Sequence, residues 1–278
     1  LAKFLAISGI ILPMLPHKNL IPDINLTPYS IWLATVVVSG ISYLSYLLKR
    51  YVFHESGTLV SGIIGGLYSS TATISVLARK SRKASEQEAT DYVAAMLLAV
   101  SMMFLRFMIL ILIFSREIFL SIYPYLLTMA VVAAIVAWFI HSRQKRPEVQ
   151  PAETEEDDSS NPLEFKVALI FAVLFVIFTF LTHYTLVYAG TGGLNLLSFV
   201  SGFSDITPFI LNLLQNTGSV AALIITACSM QAIISNIMVN MFYALFFAGK
   251  GSKLRPWILG GFGVVITCNL VLLLFFYI

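Results

Sequence analysis

The chain has 278 residues, of which 58% are apolar and only 11% are charged. Ordinary soluble domains carry about 25% charged residues, so this composition excludes a soluble globular domain and predicts an integral membrane protein. The apolar runs are about 20 residues long, which favours membrane-spanning helices over the short alternating strands of an outer-membrane barrel. The net charge of +3 is too small to indicate a nucleic-acid partner.

The first apolar run begins at once, without an initiator methionine, and no signal-peptide cleavage site follows it. We therefore expect a longer protein to contain this sequence. Nine candidate segments follow one another at about 1–15, 30–48, 59–78, 92–114, 118–140, 165–188, 194–214, 220–247 and 257–277. A single long polar interruption, 141–163, starts basic and then turns acidic, which is typical of a solvated linker between two halves.

Two of the segments are less apolar than the others. The stretch 62–80 reads GIIGGLYSSTATISVLARK and places four hydroxyl side chains behind a glycine pair; these are Ser69, Ser70, Thr71 and Thr73. The stretch 202–212 reads GFSDITPFILN and repeats the order of glycine, large apolar residue, serine, polar residue and threonine, with Ser204, Asp205 and Thr207. Such residues permit close backbone approach and supply polar contacts inside a helical bundle. We interpret the pair as one site built twice.

The order of segment types also repeats on either side of the linker. This repetition predicts an all-α, polytopic helical bundle that consists of a leading helix and loop (1–29), a first membrane repeat (30–140), the linker (141–163) and a second repeat (164–278). If all nine segments cross the bilayer, seven basic residues lie on one side and nine on the other. If the two hydroxyl-rich segments dip in and return, the count becomes fourteen against two. Because cytoplasmic loops collect Lys and Arg, this bias favours two re-entrant or broken segments and an inverted repeat.

Two charged residues lie at membrane depth. Asp205 is the one acidic residue within an apolar segment, and Arg106 is the one basic residue well inside another. An unpaired charge there costs at least about 2.5 kcal/mol, so each is expected to have a neutralising partner, and each is the other's only fully charged candidate. Two interpretations remain open: a structural pair that holds the repeats together, or an acid that exchanges a proton or binds a cation beside an arginine that tunes it.

Asn236 and Asn240 lie four residues apart and therefore on one face of their helix. Amides in membrane helices either hydrogen-bond between helices or line a polar pathway. By its distance from the threonines of its half, Asn240 occupies a place comparable to that of Arg106. The candidate site therefore comprises Ser69, Ser70, Thr71, Thr73, Arg106, Ser204, Asp205, Thr207, Asn236 and Asn240.

No nucleotide-binding glycine motif, zinc-ligand spacing or nucleophile elbow occurs, so we expect neither an enzyme nor a cofactor. Hydroxyls with one carboxylate suit a hard cation or proton coupling, whereas the arginine suits an anion. The pattern predicts a transporter or channel for a small ion or solute. The alternative is a module that does not transport but regulates a partner, in which the polar residues serve packing alone.

Several strings in this chain resemble an uncharacterised bacterial membrane domain that is commonly fused behind an MgtC/SapB-type domain. They are FLAISGIILPMLP (4–16), GGLYSSTATISVLARKS (65–81) and MFLRFMIL (103–110). The resemblance implies a multi-pass protein of the bacterial inner membrane that contacts the lipid bilayer and a fused or neighbouring MgtC-like domain. We expect the N-terminus and linker on the cytoplasmic side, and a homo-oligomer stays open. Family members often carry a more acidic string at 202–208 and a basic residue in place of Asn240.

Overall fold

The computed structural model describes residues 2–22, 24–52, 57–82, 84, 86–143, 165–215, 220–249 and 252–277. These residues form α-helices and one short π-helical turn, Leu48–Val52, without a named strand. The helices are α1 (Ala2–Met14), α2 (Pro28–Leu47), α3 (Thr58–Lys80), α4 (Glu86–Phe114), α5 (Arg116–Ser142), α6 (Phe165–Ser201), α7 (Ile206–Gln215), α8 (Ala222–Ala248) and α9 (Arg255–Tyr277). The predicted linker lies almost entirely outside the described residues.

Seven of these helices, α2 to α6, α8 and α9, are long and apolar enough to cross a membrane. Large apolar side chains on their outer faces are exposed, as lipid contact requires; Trp138 and Ile135 on α5 are 68% and 58% exposed. The described chain is therefore a polytopic helical membrane protein that contacts the lipid bilayer. Helix α7 has only 10 residues and is buried along nearly its whole length.

Two of the long helices are broken. In α3, Ser69 has extended backbone angles (φ −157°, ψ 108°), which divides the helix into α3a (58–68) and α3b (70–80). In α6, Gly190 has φ +59°, a left-handed conformation that favours glycine, and divides the helix into α6a (165–189) and α6b (191–201). The predicted segment 194–214 is thus not one helix. It consists of α6b, a turn and α7.

The order of helix types in the first half recurs in the second. Helix α2 precedes the short pair α3a and α3b, which the long helices α4 and α5 follow. In the second half, α6a precedes the short pair α6b and α7, which the long helices α8 and α9 follow. This recurrence concerns the order of elements alone, and the duplication of one half and its inversion relative to the other stay predictions.

By its internal contacts the chain divides into two compact units. Unit 1 comprises Leu1–Tyr43, Leu110–Ile122 and Ser159–Asn236, and unit 2 comprises Leu44–Ile109, Tyr123–Asp158 and Ile237–Ile278. Unit 1 contains the turn between α6b and α7, and unit 2 contains the break in α3.

Small residues hold α3a against α4 within unit 2. A Cβ atom on Gly62 would lie 2.3 Å from the carbonyl oxygen of Ala95, and one on Gly66 would lie 2.5 Å from the Cα of Ala99. Gly62 and Gly66 are four residues apart, and so are their partners Ala95 and Ala99, in the same order along the chain. Helix α3a therefore runs parallel to α4, and the two backbones are in contact. This is the close approach that small residues spaced four apart allow in membrane helices. The sequence singled out the pair Gly65 and Gly66, whereas Gly62 and Gly66 form this contact.

Candidate functional site

The break in α3 exchanges the hydrogen bonds of a normal helix for side-chain bonds. In a continuous helix the Ala72 N–H would donate to the Tyr68 carbonyl. Instead the Ala72 N–H donates to the Ser69 hydroxyl oxygen at 3.3 Å, so that Ser69 caps α3b. The carbonyl of Tyr68, the last residue of α3a, is thereby freed for another donor.

That donor is Arg106 of α4. Its Nη1 donates to the Tyr68 carbonyl oxygen at 2.7 Å, and its guanidinium carbon lies 5.3 Å from the ring centre of Phe107. Helical side chains lean toward the N-terminus of their own helix, so Arg106 reaches back along α4 to the end of α3a. The sequence identified Arg106 as a charge at membrane depth, and the structure shows that it binds the backbone of the predicted hydroxyl-rich stretch.

The two halves of α3 lie against each other beside the break. A Cβ atom on Gly65 would lie 2.4 Å from the hydroxyl oxygen of Thr73. Residues eight apart in a continuous helix are separated by about 12 Å, so this contact exists only because the chain changes direction at Ser69. Ser70 is buried and Ala72 is exposed, so the start of α3b has one buried and one accessible face.

The second broken region, in unit 1, is the turn that joins α6b to α7. The Asp205 carboxylate accepts a hydrogen bond of 3.0 Å from the Thr207 N–H and so caps the first turn of α7. Asp205 and Ser204 are exposed, whereas Thr207 is 1% exposed. Asp205 therefore lies in a turn and not within a helix, and the negative charge at the N-terminus of α7 is electrostatically favourable.

Helix α8 holds this turn from the side. The Asn236 amide donates to the Gly202 carbonyl oxygen at 3.2 Å, and the Ser235 hydroxyl donates to the Phe199 carbonyl oxygen at 2.7 Å. A Cβ atom on Gly202 would lie 2.4 Å from the Ser235 hydroxyl oxygen. Glycine is required at position 202 because the backbone of the turn approaches α8 this closely.

The two broken regions follow the same rule. In each, a backbone carbonyl at the end of the first short helix accepts a hydrogen bond from a side chain of the long helix that follows. The donor is Arg106 of α4 in one case and Asn236 of α8 in the other. Asn236 thus makes a contact that corresponds to that of Arg106, and the comparison of Asn240 with Arg106 stays a prediction.

The structure distributes the predicted site residues between the two units. Unit 2 contains Ser69, Ser70, Thr71, Thr73, Arg106 and Asn240, and unit 1 contains Ser204, Asp205, Thr207 and Asn236. In unit 1 the predicted residues lie around the turn between α6b and α7, and in unit 2 the hydroxyl residues and Arg106 lie around the break in α3. Asn240 is fully buried in α8. The predicted pairing of Arg106 with Asp205, and one shared site, stay predictions.

Some residues that shape these regions lie outside the predicted set. Tyr68 acts through its carbonyl, for which a side-chain pattern offers no signal. Gly190 has positive φ, and its signal is the dense glycine run at 190–193 between two predicted apolar segments. The buried Asn212 amide donates to the Thr179 hydroxyl at 2.7 Å and ties α7 to α6a.

The fold and the two broken regions define a polytopic α-helical membrane protein with interrupted helices. The chain belongs to the family described as "Domain of unknown function (DUF4010)", whose model matches residues 36–248. It is also similar to an "Uncharacterized protein" of Aquifex aeolicus (strain VF5), with 25% identity over 224 residues that cover 80% of this chain and 96% of the relative. No solved structure matches the chain. The fusion to an MgtC-like domain stays an expectation from the resemblance.

Proposed function

We propose that this protein is a membrane transporter or channel that moves a small ion or solute past the polar residues of its two broken regions. The observation that carries the proposal is the hydrogen bond from Arg106 to the freed Tyr68 carbonyl. Non-helical backbone at membrane depth is tolerated where protein buries it or where it lines a watery cavity, and interrupted helices recur at the binding sites of transporters. An ordinary packing helix has no need of a break.

We infer further that α3 is re-entrant, and two contacts and one short connection support this. The Thr58 side chain at the start of α3a faces the Tyr92 hydroxyl near the start of α4. Helix α3a then runs inward along α4, and the Gly65–Thr73 contact brings α3b back alongside it. The short connection from Lys80 to Glu86 returns the chain to the end of α4 from which α3a set out.

A contact of Arg79 supports the same topology. Arg79, in the last turn of α3, lies with its guanidinium carbon 4.3 Å from the ring centre of Phe247, in the last turn of α8. If every predicted segment crossed the bilayer, the ends of α3 and α8 would lie on opposite sides. Their contact agrees instead with the arrangement in which both hydroxyl-rich segments return to the side they came from.

The two regions offer different chemistry to a permeating species. Around Ser69, hydroxyl groups lie beside the Arg106 guanidinium, which favours an anion or the carbonyl end of a dipole. Around Ser204 and Asp205, an exposed carboxylate and hydroxyl favour a cation or a proton. We leave both substrate classes within the proposal. The inner-membrane location and the homo-oligomer stay expectations.

Water access to the two regions tests the proposal. Single cysteines at Ala72 and Ser204, two exposed positions, would be introduced into the full chain after Cys228 and Cys268 are replaced by alanine. We expect a charged, membrane-impermeant thiol reagent to label both, because a thiol ionises and reacts only where water reaches it. Leu112→Cys on the exposed outer face of α4 is the matched lipid-facing control and should not react.

Flux measurements in proteoliposomes complete the test. The wild type should accumulate at least one of a panel of small cations and anions above the level of protein-free vesicles, and Arg106→Met should reduce that flux. If neither reporter cysteine reacts and no species accumulates, the regulatory module becomes the better interpretation. In that case the polar groups serve helix packing alone.

A further inference from the structure

A second feature, separate from the two breaks, lies where α3 and α8 end in unit 2. Arg79 lies in the last turn of α3, and Arg82, whose N–H donates to the Arg79 carbonyl oxygen at 3.3 Å, lies in the turn that follows. Arg79 stacks on Phe247, and the Arg82 guanidinium lies 3.5 to 3.8 Å from the place that a Cβ atom of Gly249 would occupy. Both guanidinium groups thus lie beside the last turn of α8.

The backbone of Gly249 makes room for this arrangement. Its φ of +90° is a conformation that residues with a side chain rarely adopt. Gly249 ends α8 beside the Arg82 guanidinium. The last carbonyl groups of a helix carry a partial negative charge, which stabilises a cation placed there. Arg82 thus lies at a helix end that favours a positive charge.

The surroundings of the pair are basic on one side and apolar on the other. Arg79, Lys80 and Arg82 are exposed. The ring of Phe247 stands 5.3 Å from that of Phe246, which in turn stacks at 6.0 Å on Phe242. Phe246 and Phe242 are 65% and 60% exposed on a membrane-spanning helix, so they face lipid chains.

We propose that Arg79 and Arg82 form a binding site for an anionic lipid. The phosphate of the lipid lies between the two guanidinium groups, with Lys80 nearby, and its acyl chain runs along Phe246 and Phe242. Guanidinium groups recognise phosphate through paired hydrogen bonds, and basic groups at the ends of membrane helices attract anionic headgroups. A free phosphate ester would use the same cations but would leave the aromatic track unused. The site therefore fits a lipid better than a free phosphate ester.

Native mass spectrometry of the full chain in detergent tests the site, with phosphatidylglycerol as the anionic probe and phosphatidylcholine as the zwitterionic one. We expect Arg79→Gln to weaken retention of phosphatidylglycerol about fivefold, the effect of one basic residue near a membrane surface. Retention of phosphatidylcholine should not change.

Arg143→Gln is the matched control. Arg143 is also exposed, and its guanidinium carbon lies 4.3 Å from the ring centre of the lipid-facing Phe139. Among the described residues, none of the contacts above places a second arginine beside it. Its replacement removes one charge and should change retention much less than Arg79→Gln. If Arg79→Gln does not fold, Phe247→Leu keeps every charge and removes the stacking ring, and it should also weaken retention.

Three outcomes would overturn the proposal. Equal losses in Arg79→Gln and Arg143→Gln would show general charge attraction, and equal retention of the two lipids would show no preference for an anionic headgroup. Competition by glycerol phosphate as effective as that by phosphatidylglycerol would show a site for free phosphate esters. None of these results depends on whether the protein transports a substrate.

Discussion

The guanidinium of Arg106 replaces an amide of the helix itself at the carbonyl of Tyr68. The bond measures 2.7 Å, and the amide that it displaces, that of Ala72, is bound by the Ser69 hydroxyl. The break in α3 is therefore compensated on both sides, and removal of either side chain leaves a backbone group without that bond. A charge at membrane depth thus also has a structural role.

Arg106→Met should destabilise the protein by about 1–3 kcal/mol, the usual cost of leaving a buried acceptor unsatisfied. Methionine retains the apolar stem and removes the donors. The midpoint of thermal unfolding in detergent measures the effect. Arg143→Met, at an exposed position, should leave the midpoint nearly unchanged. Equal shifts in the two variants would contradict the role of Arg106 at the break.

Gly66→Ala should destabilise the contact between α3a and α4. The added Cβ would lie 2.5 Å from the Ala99 Cα, so the backbones must move apart, at a cost of about 1–3 kcal/mol for overpacking. Gly263→Ala in α9 is the control, because nothing lies within 4 Å of its Cβ position. Helix propensity makes that control neutral or stabilising by up to about 1 kcal/mol. Equal decreases of the unfolding midpoint in Gly66→Ala and Gly263→Ala would contradict this packing.

Gly190→Ala should strain the joint between α6a and α6b. No neighbour obstructs the new Cβ, so the cost of about 1–2 kcal/mol arises from the left-handed backbone alone. Gly192→Ala, two residues later, has the same open surroundings and a helical backbone, and it should not destabilise. The difference between the unfolding midpoints of the two variants measures the cost of the left-handed backbone at position 190. A destabilised Gly192→Ala with an unaffected Gly190→Ala would place the break elsewhere.

Substitutions of Asp205 separate its capping role from a role of its charge. Asparagine caps helices about as well as aspartate, whereas alanine costs about 0.5–2 kcal/mol at such a position. Asp205→Asn should therefore unfold near the wild-type midpoint and Asp205→Ala below it. If the carboxylate serves transport, flux falls in both variants. Wild-type, pH-independent flux in Asp205→Asn would leave Asp205 with the capping role alone.

Much of the fold follows from the sequence because it depends on composition. Apolar runs of membrane-spanning length gave the long helices, and the glycine and hydroxyl residues at 65–73 indicated the stretch that breaks at Ser69. Helix α6 differs from the prediction, because a helical backbone continues beyond Gly190 where the sequence suggested the gap between two segments. A single left-handed glycine changes the direction of a helix without ending it. Composition does not distinguish such a redirected helix from two helices separated by a loop.

The candidate site was less predictable, because it depends on which donor reaches which carbonyl. Spacing favoured Asn240 as the counterpart of Arg106, whereas Asn236, one helical turn earlier, bonds the Gly202 carbonyl. Spacing ranks positions along a helix, but the crossing of two helices decides which position faces the turn. Asp205 shows the same limit: its place in a turn follows from the chain direction after Ser201, which side-chain hydropathy does not encode.

The contacts of two glycines of α3a with two alanines of α4 fix the position of α3a along α4, and with it the position of the break at Ser69. If α3a slid forward by one turn, Gly66 would meet Met103 instead of Ala99, and the thioether side chain would have no room between the backbones. Sliding backward by one turn would bring Gly62 opposite Asp91, whose carboxylate contacts His141 at 2.6 Å. Travel of α3a along α4 by one turn in either direction therefore puts a longer side chain than alanine opposite one of these glycines. A motion of the break at Ser69 that preserves these contacts must be a tilt of α3b or a displacement that carries α4 along.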